Sequence, residues 1–116
     1  MGRKIVIYSL LFLLALFLFF SFYYSKKSSH PLQVTFLDVG QGDAILIETP
    51  YGQNILIDGG PDDRVLTRLG RNLPFWERSI DLMVLTHPHS DHVAGLIKIS
   101  EKYTLDKTLY TGVEYN

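Results

Sequence analysis

Residues 85–95 read Leu85-Thr86-His87-Pro88-His89-Ser90-Asp91-His92-Val93-Ala94-Gly95, and this stretch decides the fold. Leu82-Met83-Val84-Leu85 lead into it, so residues 81–86 are predicted to be a buried strand. Beyond it the period becomes helical. Val93, Leu96, Ile97, Ser100 and Tyr103 recur at i, i+3, i+4 spacing, which predicts a helix over 91–103 with those residues inward. The histidines thus fall where a strand turns into a helix. Pro88 keeps His87 out of the α region and extended. Alternate side chains of an extended run share a face, so His87 and His89 are expected to project together. Two neutral imidazoles on one side make half of a tetrahedral zinc site, with Zn–N distances of about 2.0–2.1 Å. Asp91 and His92 arrive from the first helical turn at another angle. They add a carboxylate and a third imidazole, enough to begin a second metal position.

A polar helix start is the plainer explanation. Ser90 or Asp91 as a cap would account for one residue. It leaves unexplained why three of the chain's four histidines fall within this short run. Metal binding is the stronger reading. His30, alone beside Pro31, is read as a solvated linker residue.

Upstream, residues 34–39 are rich in β-branched and aromatic side chains and stop at Gly40, the mark of a strand. Residues 44–49 form a second strand, with Ile45 and Ile47 on one face and Ala44 and Leu46 on the other. Both faces are apolar, so this strand is expected to be covered on both sides. Residues 50–54 have turn chemistry and 55–58 resume as a strand, giving a hairpin. Residues 62–72 are predicted to form a short helix, capped by an Asp and stopped near Gly70, with Val65, Leu66 and Leu69 inward. Phe75 and Trp76 are read as loop packing, with Trp76 in the core or a lid. Residues 106–111 form the last predicted strand. Successive strands followed by β-loop-α-β indicate a layered α/β or α+β fold.

The N-terminus differs in kind. Residues 5–24 carry no charge. Some 20 apolar residues match the roughly 30 Å hydrocarbon core of a bilayer. Phe22, Tyr23 and Tyr24 sit where amphipathic rings favour the headgroup zone. The apolar run is longer than a cleaved leader needs and lacks small residues at its end, so an uncleaved anchor is expected. We therefore divide the chain into a transmembrane segment (1–25), a linker (26–31) and a folded unit (32–116). The expected location is a bacterial cell membrane, crossed once, with the folded unit outside the cytoplasm.

The 116 residues allow at most one modest domain, and a net charge of −1 marks no polyanion binder by bulk electrostatics. The absence of cysteine excludes disulfides and thiolate metal sites, so ligands must be His, Asp or Glu.

The run His87-x-His89-x-Asp91-His92 resembles the signature of the metallo-β-lactamase superfamily. Leu37-Asp38-Val39-Gly40-Gln41-Gly42-Asp43-Ala44, Ile57-Asp58-Gly59-Gly60 and residues 85–95 are similar to one branch. That branch is the metallo-hydrolase domain of ComEC-type competence proteins of bacterial DNA uptake and its stand-alone relatives. The resemblance implies an αββα sandwich, of which this chain supplies the N-terminal half. It implies His87 and His89 on a first metal and Asp91 and His92 on a second, with Asp91 catalytic in orienting water or moving a proton. Asp58 would orient the ligand loop from behind, or be a plain turn residue before two glycines. Asp38, Gln41 and Asp43 would line the same edge. For Asp43 an Asx turn is the equal alternative.

The family completes its site with further His and Asp residues downstream, whereas no histidine follows His92 here. The chain is therefore read as a fragment, with the C-terminal remainder of the domain as its expected partner. Zinc is the expected cofactor, two ions in the intact protein, with manganese or iron as alternatives that a carboxylate admits. The expected function is a membrane-anchored metal-dependent hydrolase of phosphodiester or related ester bonds, linked by resemblance to DNA uptake. The alternative is a truncated, non-catalytic half-domain that binds a partner. Nucleic acid as substrate rests on the resemblance only, since no Lys/Arg–aromatic stripe supports it.

Overall fold

The computed structural model describes residues 2–26 and 31–112, with backbone only for 25 and 26. Most of the linker, with His30, and residues 113–116 lie outside the described residues.

Helix α1 (Gly2–Lys26) contains the uncharged run. None of its apolar window is buried against the other described residues. By length and composition it could cross a membrane.

The rest is a mixed α/β layer pair. Strands β1 (Gln33–Phe36), β2 (Ile45–Glu48), β3 (Asn54–Ile57), β4 (Ser79–Leu85) and β5 (Thr104–Tyr110) lie side by side in chain order. The first two pairings are antiparallel and the last two parallel. The parallel pairings need crossovers. Helices α2 (Arg64–Asn72) and α3 (Ser90–Ser100) supply them, and the two helices touch each other over one face of the sheet. Leu46 and Leu56 point into that layer and, with Val65, Leu69, Leu96 and Ile99, are essentially inaccessible to solvent.

Three details correct the sequence reading. The expected stripe of α3 holds in part: Leu96 and Tyr103 are buried and Val93 half-buried, but His92, Gly95 and Ile99 complete the inward face in place of Ser100 and Ile97, which is 55 % exposed. The cause is Gly95. A Cβ there would strike the Gly59 carbonyl, so the helix turns this bare backbone to β3's end. The amide of Gly95 donates to Gly60 O (2.9 Å) and that of Gly59 to His92 O (2.8 Å). Trp76, expected in the core or a lid, is 70 % exposed and stacks edge-on with exposed Phe75. β2, expected to be covered on both sides, is covered on one by the described residues.

The second face is apolar nonetheless. The ladder aligns Phe36, Ile45, Ile57, Val84 and Leu109 in one cross-strand row, and Val34, Ile47, Ile55 and Leu82 in the next. These side chains are half-buried or exposed, Phe36 reaching 77 %. Alternation along each strand sets them opposite Leu46 and Leu56.

The strand ends differ from expectation by a few residues. The first strand ends at Phe36; one further bond, from the Leu37 amide to Ala44 O (2.8 Å), continues its register, and Leu37 and Val39 are buried in the core. The β2–β3 connection is a turn over Thr49 to Gly52 (amide to carbonyl, 2.9 Å) with Gly52 at φ 78°. This is the three-residue hairpin in which glycine takes the left-handed position at no steric cost. At α2, an Asp does satisfy the helix start, but it is Asp62. Its carboxylate accepts the Arg64 amide (3.0 Å), while Asp63 occupies the cap position without a side-chain bond. The Arg64 side chain, bonded to both Asp62 oxygens, holds that exposed carboxyl below its ordinary range.

Candidate metal centre

β3, β4 and β5 run the same way, so the residues that follow them gather at one sheet edge. That is where ligand-bearing loops of open parallel sheets sit. Asp58 follows β3, His87 follows β4, and α3 begins just beyond. Asp58 has φ 57°, a left-handed conformation that Asp tolerates better than most side chains. The conformation is fixed by its amide donating to Val84 O (2.8 Å) and by Gly59 lying against α3. It leaves the carboxylate buried, only 2 % of the residue being exposed.

Both oxygens of that carboxylate are engaged. Oδ1 accepts the Thr86 amide (2.9 Å). Oδ2 accepts the Thr86 hydroxyl (2.6 Å) and His92 Nδ1–H (2.9 Å). Because the Thr86 hydroxyl gives its proton to Asp58, its oxygen is left to accept from His87 Nδ1–H (3.0 Å). One carboxylate therefore selects the tautomer of two imidazoles, one directly and one through Thr86. Both are left with a lone pair on Nε2, the form that binds a cation. This tautomer assignment follows from the hydrogen-bond network.

The two rings lie close, with centroids 3.9 Å apart, and His89 stands edge-on to His87 at 4.7 Å. Ligand atoms of Asp58, His87 and His92 all fall within 4.8 Å of one another. Asp91 Oδ2 is 3.7 Å from His92 Nε2, at the open side. The donor set is imidazole plus carboxylate, with no thiolate, and its chemistry fits a divalent cation. This is a candidate Asp/His metal site. His89 occupies the cap position of α3 in an extended conformation and makes no side-chain cap bond.

The remaining sequence-derived candidates separate. Asp38 does not turn into the centre: its carboxylate pairs with Arg68 Nη2 (2.8 Å), and its carbonyl accepts Arg68 Nε (2.7 Å). Gln41 and Asp43 are exposed on the loop between β1 and β2. The Asx bond considered for Asp43 is not formed among the described residues; its carbonyl accepts the Gly60 amide (2.9 Å). That loop still belongs to the site's wall, because a Cβ on Gly42 (φ 99°) would strike the Asp91 backbone. Sequence reading assigned no role to Thr86, nor to Gly42 and Gly95. The signal was available in Thr86 adjoining His87 and in glycines flanking the His/Asp run, but only contacts across 28 residues or more give it meaning.

The fold and this edge define the class, and comparison agrees with it. The chain belongs to the metallo-beta-lactamase superfamily, whose family model matches residues 37–112. It is similar to exodeoxyribonuclease WalJ from two strains of Streptococcus pneumoniae, one of them of serotype 2. In each case 29 % of residues are identical over 65 residues, 56 % of this chain and 24 % of the relative. The aligned stretch thus spans about a quarter of those proteins' length.

Proposed function

We propose that this chain is the metal-binding N-terminal part of a membrane-anchored hydrolase that cleaves phosphodiester bonds, with DNA as the favoured substrate. The observation that carries the reading is the pair of imidazoles, His87 and His92, set with Nε2 available by a single buried carboxylate. The name of the similar exodeoxyribonucleases supports DNA, and α1 supports the anchor. A link to DNA uptake rests on the ComEC-like motifs alone.

In this reading His87 and His89 hold a first cation, and Asp91 and His92 contribute to a second. Zinc suits the imidazole-rich donors, with manganese or iron as the alternatives. Such cations supply charge for a developing oxyanion and acidify water. The chain's own residues do the rest. Asp58 and Thr86 hold the imidazoles in register, and Asp91 orients water or moves a proton at its Oδ2. The loop containing Gly42, closed against Asp91, narrows access to the edge.

The apolar second face of the sheet favours a further layer of chain over it, supplied by the remainder of the domain. The competing function, a non-catalytic anchored half-domain, would cover the same face with a partner protein. Measuring metal content and nuclease activity on linear DNA in the protein at its native length separates them. Bound divalent metal with activity abolished by His87→Ala supports hydrolysis. A metal-free protein, or activity indifferent to that substitution, defeats it.

A further inference from the structure

The sheet has two ends with different chemistry. One holds the histidines. At the other lie the β2–β3 turn, the loop from α2 to β4, the turn after α3, and the point where the chain arrives from α1. This far end displays Tyr51, Phe75 and Trp76 at 84 %, 81 % and 70 % exposure, an unusual concentration of bare aromatic surface. Phe75 and Trp76 stack on each other at 4.9 Å, so they form a fixed wedge. Tyrosine and tryptophan favour the headgroup layer of a bilayer, where a ring meets both apolar and wet surroundings.

Chain length keeps this end near any membrane that α1 crosses. Lys26 ends the helix and Pro31 is the last linker residue before the folded unit, five Cα steps of at most about 3.8 Å further on. A cavity of about 770 Å³ has Phe22 and Tyr23 of α1 on one wall and Pro31, Gly52, Pro74 and Trp76 on the other. Aromatic residues at the helix's own interfacial end thus face those of the folded unit. On the folded unit charge does not explain the end, for Arg71, Arg78, Lys98 and Lys102 are matched in number by Glu48, Glu77, Asp81 and Glu101, with Lys98 paired to Glu101 (3.3 Å).

We propose that this end seats in the lipid headgroup layer through Tyr51, Phe75 and Trp76, holding the histidine edge away from the membrane. The proposal rests on the reading of α1 as a membrane anchor. The seven residues of β4 set the stand-off at roughly 20 Å, from a rise of about 3.3 Å per residue. Because the folded unit's own charges balance at this end, its seating depends on ring insertion and not on anionic lipid.

Trp76 is the chain's single tryptophan, so its fluorescence reports the site directly. The native-length protein, with any tryptophan outside these 116 residues replaced by phenylalanine, is reconstituted in phosphatidylcholine vesicles, with and without lipid brominated near the headgroup, and floated on a gradient. Expected are co-flotation, at least twofold quenching of Trp76 by brominated lipid, and the same quenching when half the lipid is phosphatidylglycerol. A label on Asp63→Cys, at the histidine end, should remain unquenched and open to aqueous iodide. Failure to float overturns the anchor reading. Flotation with Trp76 unquenched, and as accessible to iodide as the label, overturns the seating alone. Quenching of both probes overturns it too, since the domain would then lie flat. So does a Trp76 that is water-exposed in vesicles yet shielded in cell membranes, which assigns the rings to a protein partner.

Discussion

Asp58 Oδ2 accepts a 2.9 Å hydrogen bond from His92 Nδ1, joining the residue after β3 to the first turn of α3. Both groups are almost wholly buried, at 2 % and 7 % exposure. The bond fixes which nitrogen of His92 remains available, and partners of this kind raise metal affinity by 10–100-fold in roughly comparable sites.

Asp58→Asn should therefore be nearly as damaging as Asp58→Ala. Asn tolerates the left-handed backbone as well as Asp does. However, its amide would set a donor against either the Thr86 amide or the pair of donors now shared by Oδ2. We expect metal affinity to fall at least tenfold and stability by about 1–3 kcal/mol, the usual cost of an unmet buried group. Calorimetric metal titration and urea unfolding measure the two effects. An Asn variant that binds metal like the parent refutes the tautomer argument.

Thr86→Val removes the hydroxyl that relays Asp58 to His87 while keeping the side chain's shape. Metal affinity is expected to drop about tenfold with little change in unfolding midpoint, because the residue is exposed and its net bond is worth about 1 kcal/mol. Thr86→Ser should restore affinity. Equal affinity in all three proteins would show that His87 needs no relay.

Two glycines in helices should respond with opposite sign. Gly70 in α2 has open space where a Cβ would go, so Gly70→Ala should stabilise by about 0.5–1 kcal/mol through helix propensity. Gly95→Ala gains the same propensity but drives a methyl into the Gly59 carbonyl. Overpacking of this kind costs about 1–3 kcal/mol, and here the obstacle is backbone, so the clash wins. Displacing α3 also moves His92, so metal affinity should fall with stability. Chemical denaturation of both variants checks the sign.

Ile47 lies in the row of apolar residues on the sheet's second face. If the remainder of the domain covers that face, Ile47→Asp in the native-length protein should cost about 4 kcal/mol or more, as expected for a buried unpaired charge. A loss below about 1 kcal/mol, read from thermal unfolding, would mean the face is open to water.

The sequence by itself determined the elements and the kind of chemistry. Apolar runs, β-branched content, turn residues and the helical period located the strands and helices to within a few residues, because each reflects local backbone preference. The His-Pro-His-Ser-Asp-His run announced a candidate metal site, because no capping or core role accounts for so many imidazoles together. Tertiary structure decided the rest. Leu96 and Tyr103 are buried as their spacing implied, but Ile97 and Ser100 are not, since apolar spacing cannot reveal that Gly95 must meet Gly59. Trp76 looked like core because large rings usually are, and only its place at the sheet's far end left it bare. Asp38 and Asp58 are both acidic residues beside strands, yet one pairs with Arg68 and the other aligns two histidines. That difference lies in contacts between residues about thirty apart in the chain, and local sequence holds no record of which distant donor a carboxylate will meet.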